Sequence, residues 1–180
     1  MGTTQYVAFL RAVNVGGRIV TMTELKTIFQ RLGLSEVSTF IASGNVIFNA
    51  SGAAATLETK IERGLETSLK YAVPTMLRTA AEVAGAAAYE AFPVAALDGA
   101  SLYVGFMKRV ASASAIKAAR SLQTNIDELR VHGREVYWLA RKSIAESTIS
   151  GAGIEKALQT PVTFRNINTV RRLAVKYPVR

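Results

Sequence analysis

Cysteine is absent from this chain, and histidine occurs once, at position 132. The first absence excludes disulfides, thiolate metal ligands and a cysteine nucleophile, and it fits a reducing cytosol. The second leaves no evident Ser-His-Asp arrangement and no histidine cluster for a metal. No G-x-G-x-x-G or Walker spacing occurs either, so nucleotide binding by those means is unsupported. Neither a cofactor nor a metal is expected. Uncharged apolar runs are also short: none reaches the ~18 residues of a membrane span, and Glu90 and Asp98 interrupt the most alanine-rich part. Arg11 and two glycines break the first apolar run, which is not the pattern of a signal peptide. A cytoplasmic chain without a membrane partner is expected.

What is present is apolar and basic. Hydrophobic residues make up 49% of the 180 positions and charged ones 19%, the balance of a folded chain able to bury a core. The net charge of +9 is uneven: residues 1–90 hold eight Lys/Arg against seven Asp/Glu, whereas residues 91–180 hold fourteen against six. From Arg165 to Arg180 there are five basic residues and no acid. Such asymmetry is compatible with a polyanion, and equally with a solvated basic surface.

Taken in order, the apolar run 6–10 reads as a buried strand that delivers a polar loop containing Arg11, Asn14, Gly16 and Gly17. Thr21 and Glu24 form a capping box for a helix whose Leu25, Ile28, Phe29 and Leu32 share a face, with Gly33 as its C-terminal glycine. Residues 37–42 and 46–48 read as a hairpin around Ser43, Gly44 and Asn45. A second helix carries the stripe Leu57, Ile61, Leu65 and Leu69. Residues 73–77 are a short strand whose early Pro74 suits a sheet edge. Thr79 and Glu82 open an alanine-rich helix that Phe92 and Pro93 end. Further on come a strand at 102–107, a helix capped by Ser112, a hairpin around His132 and Gly133, a helix near 154–158, a strand at 161–164 and a basic final helix.

The order β-α-β-β-α-β thus occurs twice. The expected fold is α+β, with two ferredoxin-like halves (1–90 and 91–180), antiparallel sheets and an extra C-terminal helix. In such a unit strand one pairs with strand three. The loop at 11–17 and the turn at 43–45 then fall on the same sheet edge, with Asn45 in reach of Arg11 or Asn14.

Three motifs, FLRAVNVGGR at 9–18, TFIASGNVIF at 39–48 and TFRNINTVRRL at 163–173, resemble the bacterial domain of unknown function 1697 family. The LRT at 77–79 fits the same pattern. Ile167 departs from it, standing where the family's RNWNTV motif has tryptophan. The resemblance implies an α+β fold without an agreed activity, and it supplies no catalytic or ligand residues.

The residues themselves suggest a surface rather than a reaction. Glycines allow close approach of an anion to the backbone, and a helix N-terminus follows at Thr21. Arg11, Asn14, Gly16, Gly17, Ser43, Gly44 and Asn45 are therefore the candidate contacts for an anionic small molecule. Arg165, Asn166 and Asn168 form a second polar cluster, with a planar donor fork beside two amides. One of those asparagines is expected to cap the last helix. That this cluster joins the Arg11 loop is an expectation resting on both being polar interruptions of apolar runs. The alternative is nucleic-acid binding through Arg171, Arg172 and Lys176, with affinity falling steeply in salt. A second alternative is an enzyme whose substrate supplies the reactive group. The adjacent acids Asp127 and Glu128 read as solvated charge, and residues 150–153 as a glycine-rich loop before a helix.

Overall fold

The computed structural model describes residues 2–14, 16–41 and 44–179. Among them the fold is mixed α+β, with two four-stranded antiparallel sheets and six α-helices. The chain forms two compact units. The first runs to Val83 and takes up the chain again from Lys176; the second spans Ala84–Val175.

In the first unit β1 (Thr4–Leu10), α1 (Met22–Arg31), β2 (Ser35–Thr39), β3 (Asn45–Ala50), α2 (Ala54–Leu69) and β4 (Thr75–Thr79) follow one another. The strand order is β2-β3-β1-β4, so β1 lies inside and pairs with both β3 and β4. Its five consecutive buried residues, Tyr6 to Leu10, follow from that central place. Tyr6, Ala8 and Leu10 meet Leu25, Phe29, Ile61 and Leu65 from the two helices in one apolar cluster. Val7 and Phe9, which alternate to the other face of the sheet, are buried as well.

Local signals explain the elements. Thr21 accepts the N–H of Glu24 at 3.1 Å, and Gly33 follows α1 with φ +74°. Thr79 and Glu82 cap reciprocally, the carboxylate taking the Thr79 N–H at 2.7 Å and the hydroxyl the Glu82 N–H at 3.2 Å. Two of the strand bounds that differ from expectation have a local cause. β2 stops at Thr39, because Ile41 turns left-handed at φ +49°. β4 begins after Pro74, which has no N–H for the ladder, and runs to Thr79. As an edge strand β4 has outward amides to satisfy, and α2 does so. Glu58 accepts the N–H of Leu77 and Glu62 that of Thr75, both at 2.9 Å. Their i,i+4 spacing puts both carboxylates on one flank of the helix.

A helix α3 (Ala80–Ala88) leads into the second unit, shorter than the run to Phe92 expected. There β5 (Ser101–Met107), α4 (Ala113–Arg120), β6 (Asp127–His132), β7 (Glu135–Ala140), α5 (Gly151–Leu158), β8 (Val162–Asn166) and α6 (Ile167–Lys176) follow. The order β6-β7-β5-β8 repeats that of the first sheet. The repetition reaches individual residues. Glu155 of α5 accepts the N–H of Val162 on edge strand β8 at 2.8 Å, as Glu62 does for Thr75. Leu10 pairs with Thr75 and Met107 with Val162, so the two carboxylates act at one register.

Candidate functional site

The β1–α1 loop and the β2–β3 turn meet on one edge of the first sheet. The N–H of Leu10 bonds the carbonyl of Gly44 at 2.8 Å, and that of Arg11 bonds the carbonyl of Pro74 at 2.9 Å. Gly44 has φ +69°, and a Cβ there would lie 2.9 Å from Val13 Cγ1 and 3.2 Å from Leu10 Cβ. Loop and turn are thus in contact, as the strand pairing requires. Ser43 lies outside the described residues.

Within that edge the polar side chains divide into two kinds. Asn14 accepts the N–H of Val20 at 2.7 Å, closing its own loop, and Asn45, fully buried, donates to the carbonyl of Phe40 at 3.0 Å. Both amides are tied to backbone, Asn45 in the interior and Asn14 on the exposed loop. Gly16 and Gly17, by contrast, are exposed, with φ +65° and +79° and no atom within 4 Å of an added Cβ. Arg11, in the same loop, is half-buried, and the exposed Arg18 lies with its guanidinium carbon 4.1 Å from the centre of the Tyr71 ring. The Tyr71 hydroxyl in turn donates to the Val13 carbonyl at 3.0 Å, fixing the ring against the loop.

The second cluster is of another character. Arg165 is buried, and its Nη1 donates to Thr163 Oγ1 at 2.9 Å and to the Phe164 carbonyl at 2.8 Å. Burial lowers its pKa to about 10. The unfolded chain therefore binds this proton more tightly, and stability from this group rises as pH climbs through that value. The unfolding free energy of the wild type minus that of Arg165→Met should increase by about 1 kcal/mol from pH 8.5 to pH 11. Urea midpoints at the two pH values measure it, and a constant difference refutes it. Asn166 accepts the N–H of Asn168 at 2.9 Å, which makes it the cap of α6, while Asn168 is exposed. Arg11 belongs to the first unit and Arg165 to the second.

Sequence reasoning passed over Arg78, which is 1% exposed and lies opposite Val7, just as Arg165 lies opposite Val104. Each guanidinium also donates to the carbonyl of the preceding residue. The signal available was the LRT at 77–79, in which an arginine interrupts a strand. It passed over Arg31, Lys60 and Arg63 as well, which line a groove between α1 and α2. A neutral hollow of about 420 Å3 lies elsewhere, at the cross-strand pair Gln5 and Asn49. Each of those amides holds a buried oxygen without a hydrogen-bond partner among the described residues.

Other candidates resolve into architecture. Asp127 is 1% exposed, not solvated as expected, because the Trp138 indole donates to it at 2.7 Å and Ser147 at 2.8 Å. Glu128 does face outward, paired with Arg141 and Arg130. Ser150 caps α5 through the Gly153 N–H at 3.1 Å, which accounts for the glycine-rich loop. His132 is exposed and stacks on Tyr89 with ring centres 4.1 Å apart. Beside it the Tyr137 hydroxyl donates to the Ala86 carbonyl, and burial, then Glu135 and Tyr89, hold that phenol protonated. On α6, Arg171 and Arg172 are exposed, whereas Lys176 sets its ammonium 5.5 Å from the Phe40 ring and 5.6 Å from that of Tyr177. Among the described residues no group of three acidic or histidine side chains is placed to hold a metal ion, and no helix is long and apolar enough to cross a membrane.

Comparison with known proteins adds a family and a fold. Residues 3–137 match the model of a family described as Protein of unknown function (DUF1697). That match covers the motifs at 9–18 and 39–48 and stops short of the one at 163–173. No curated protein matches the chain. Among solved structures it is similar to the conserved bacterial protein SP0830 from Streptococcus pneumoniae, with a TM-score of 0.75 and 22% identity over 97% of this chain and 98% of that one. At that identity the likeness extends to fold alone.

Proposed function

The chain belongs to the DUF1697 family of proteins of unknown function, and from that premise we propose that it is a cytoplasmic binding protein for an anionic small molecule, held where the loop at 11–17 meets the turn at 43–45. One observation carries the reading. Five left-handed residues, Ala12, Gly16, Gly17, Ile41 and Gly44, gather on that single sheet edge. Two of them carry side chains, and a β-branched residue such as Ile41 adopts this conformation only at a cost. Backbone strain of this kind concentrates at ligand sites, where the fold maintains it because the geometry is used.

Charge agrees with an anionic ligand. Residues 1–23 contain Arg11 and Arg18 but no acid. Gly16 and Gly17 leave their own backbone, beside Arg18 in the chain, uncovered, so a phosphate or carboxylate can approach it closely. Asn14 and Asn45 shape the edge from behind, and Arg11 and Arg18 are the side chains assigned to the ligand. The two strand orders, each with two helices on one face of its sheet, support reading the halves as ferredoxin-like scaffolds that present such an edge.

Isothermal titration with inorganic pyrophosphate tests the proposal. A charge-assisted contact contributes roughly 1.5–3 kcal/mol, so the Arg11→Ala, Arg18→Ala pair should bind at least ~30-fold more weakly while melting near the wild-type temperature. Equal affinity in that variant, or no binding by the wild type to pyrophosphate, citrate or a nucleoside monophosphate, would refute it.

A further inference from the structure

We propose that the groove between α1 and α2 is a second ligand site, for a small amphiphilic anion: a carboxylate, sulfonate or phosphate monoester carrying an apolar body. It lies on the helical layer of the first unit, and none of the loop residues assigned above lines it. Its volume is about 860 Å3, within the range of small-molecule sites.

The floor is apolar. Ile28 of α1 and Leu32, which caps its C-terminus, line it together with Gly64 of α2, and a Cβ at Gly64 would lie 2.6 Å from Leu32 Cδ2. The missing side chain therefore lets Leu32 press against the α2 backbone. The walls are cationic: Arg31, Lys60 and Arg63 line the groove, and no acidic side chain does. Among the described residues these three make no ion pair.

The imbalance is a consequence of how α2 is built. Two of its three acids, Glu58 and Glu62, are turned to the opposite flank, where they hold the amides of β4. The third, Glu66, is exposed and does not line the groove. The helix also begins without a side-chain cap or an acid in its first turn, and Ala55 and Thr56 of that turn line the groove. Positive charge from three side chains and from a helix terminus thus borders a carbon-lined trough without an internal counter-charge. A purely inorganic anion would leave the apolar floor wet, and a neutral lipid would leave the cations unmatched. An anion with an apolar body satisfies both surfaces.

The probe is 1-anilinonaphthalene-8-sulfonate, titrated by fluorescence and by equilibrium dialysis into the folded full-length chain. One saturable site is expected. Replacing all three cations (Arg31→Ser, Lys60→Ser, Arg63→Ser) should weaken it by on the order of 30-fold or more, with circular dichroism unchanged. Thr67→Trp, which fills the groove and leaves the cations in place, should weaken it comparably. Arg11→Ala with Arg18→Ala should leave it within threefold, which separates this site from the loop edge. The proposal is overturned if the triple variant binds the probe as the wild type does, or if Thr67→Trp has no effect. It is equally overturned if the triple variant loses affinity only for a DNA duplex.

Discussion

Replacing Gly105 with alanine is expected to destabilise the second unit by about 3 kcal/mol, the upper end of what overpacking a core usually costs. Gly105 sits in the middle of β5, opposite Phe164 of β8. A Cβ there would lie 2.6 Å from Phe164 Cε1, 2.7 Å from Val136 Cγ1 and 2.8 Å from Val162 Cγ1. All three atoms belong to stiff side chains packed on the helical face of the sheet, so none can move aside cheaply. The aromatic ring of the cross-strand neighbour occupies the space that a side chain on β5 would take, a known way of covering a strand glycine. Trp138 is the only tryptophan, and its ring centre lies 5.8 Å from that of Phe164. Its fluorescence therefore follows this unit in urea. The midpoint should fall markedly in Gly105→Ala and recover in part when Phe164→Leu is added, because the two changes share one space. An unchanged midpoint would mean that the strand pairing around Phe164 is not as described.

The second large effect is expected at Glu58. It is a buried carboxylate, 8% exposed, that accepts the N–H of Leu77 on the outer edge of β4. Glu58→Leu keeps the bulk and removes the acceptor, leaving a buried amide unsatisfied at a cost of about 2–3 kcal/mol. Glu58→Gln keeps an acceptor oxygen and should cost less than about 1 kcal/mol. Amide exchange at Leu77 distinguishes the cause: it should accelerate in the leucine variant and stay near wild type in the glutamine variant. Similar stability of the leucine variant and the wild type would show that the carboxylate merely fills space. Unpaired edge amides also template association between chains, so aggregation of the leucine variant at high concentration would accord with this role.

Much of this arrangement could be read from the residues because its signals are local. Two T-x-x-E patterns, an apolar stripe at 57, 61, 65 and 69, and a continuous apolar run at 6–10 each follow from one element's own period. The pairing of β1 with β3 followed from element order, and with it the meeting of the 11–17 loop and the 43–45 turn. What escaped was decided by partners distant in sequence. Asp127 reads as a surface acid until Trp138 and Ser147 are placed around it, and no spacing within 127–128 announces them. Arg165 reads as a donor fork for an anion, yet it faces inward because alternation along β8 sets it on the same face as Val104. The cations of the α1–α2 groove were visible in composition. Their separation from Glu58 and Glu62 appears only when residues 58–63 are placed around a helix, where three or four positions make one flank. Nor did the duplication show as residue identity, although Glu62 and Glu155 perform one task in two sheets.

The central claim is that the edge bearing Gly16 and Gly17 holds an anion. It is tested most directly by following backbone amide resonances during titration with inorganic pyrophosphate. Saturable shifts are predicted at Gly16, Gly17 and Gly44 with one common affinity, lost in the Arg11→Ala, Arg18→Ala variant. Shifts confined to the α1–α2 groove or to α6 around Arg171 and Arg172, with those three glycines unmoved, would contradict it.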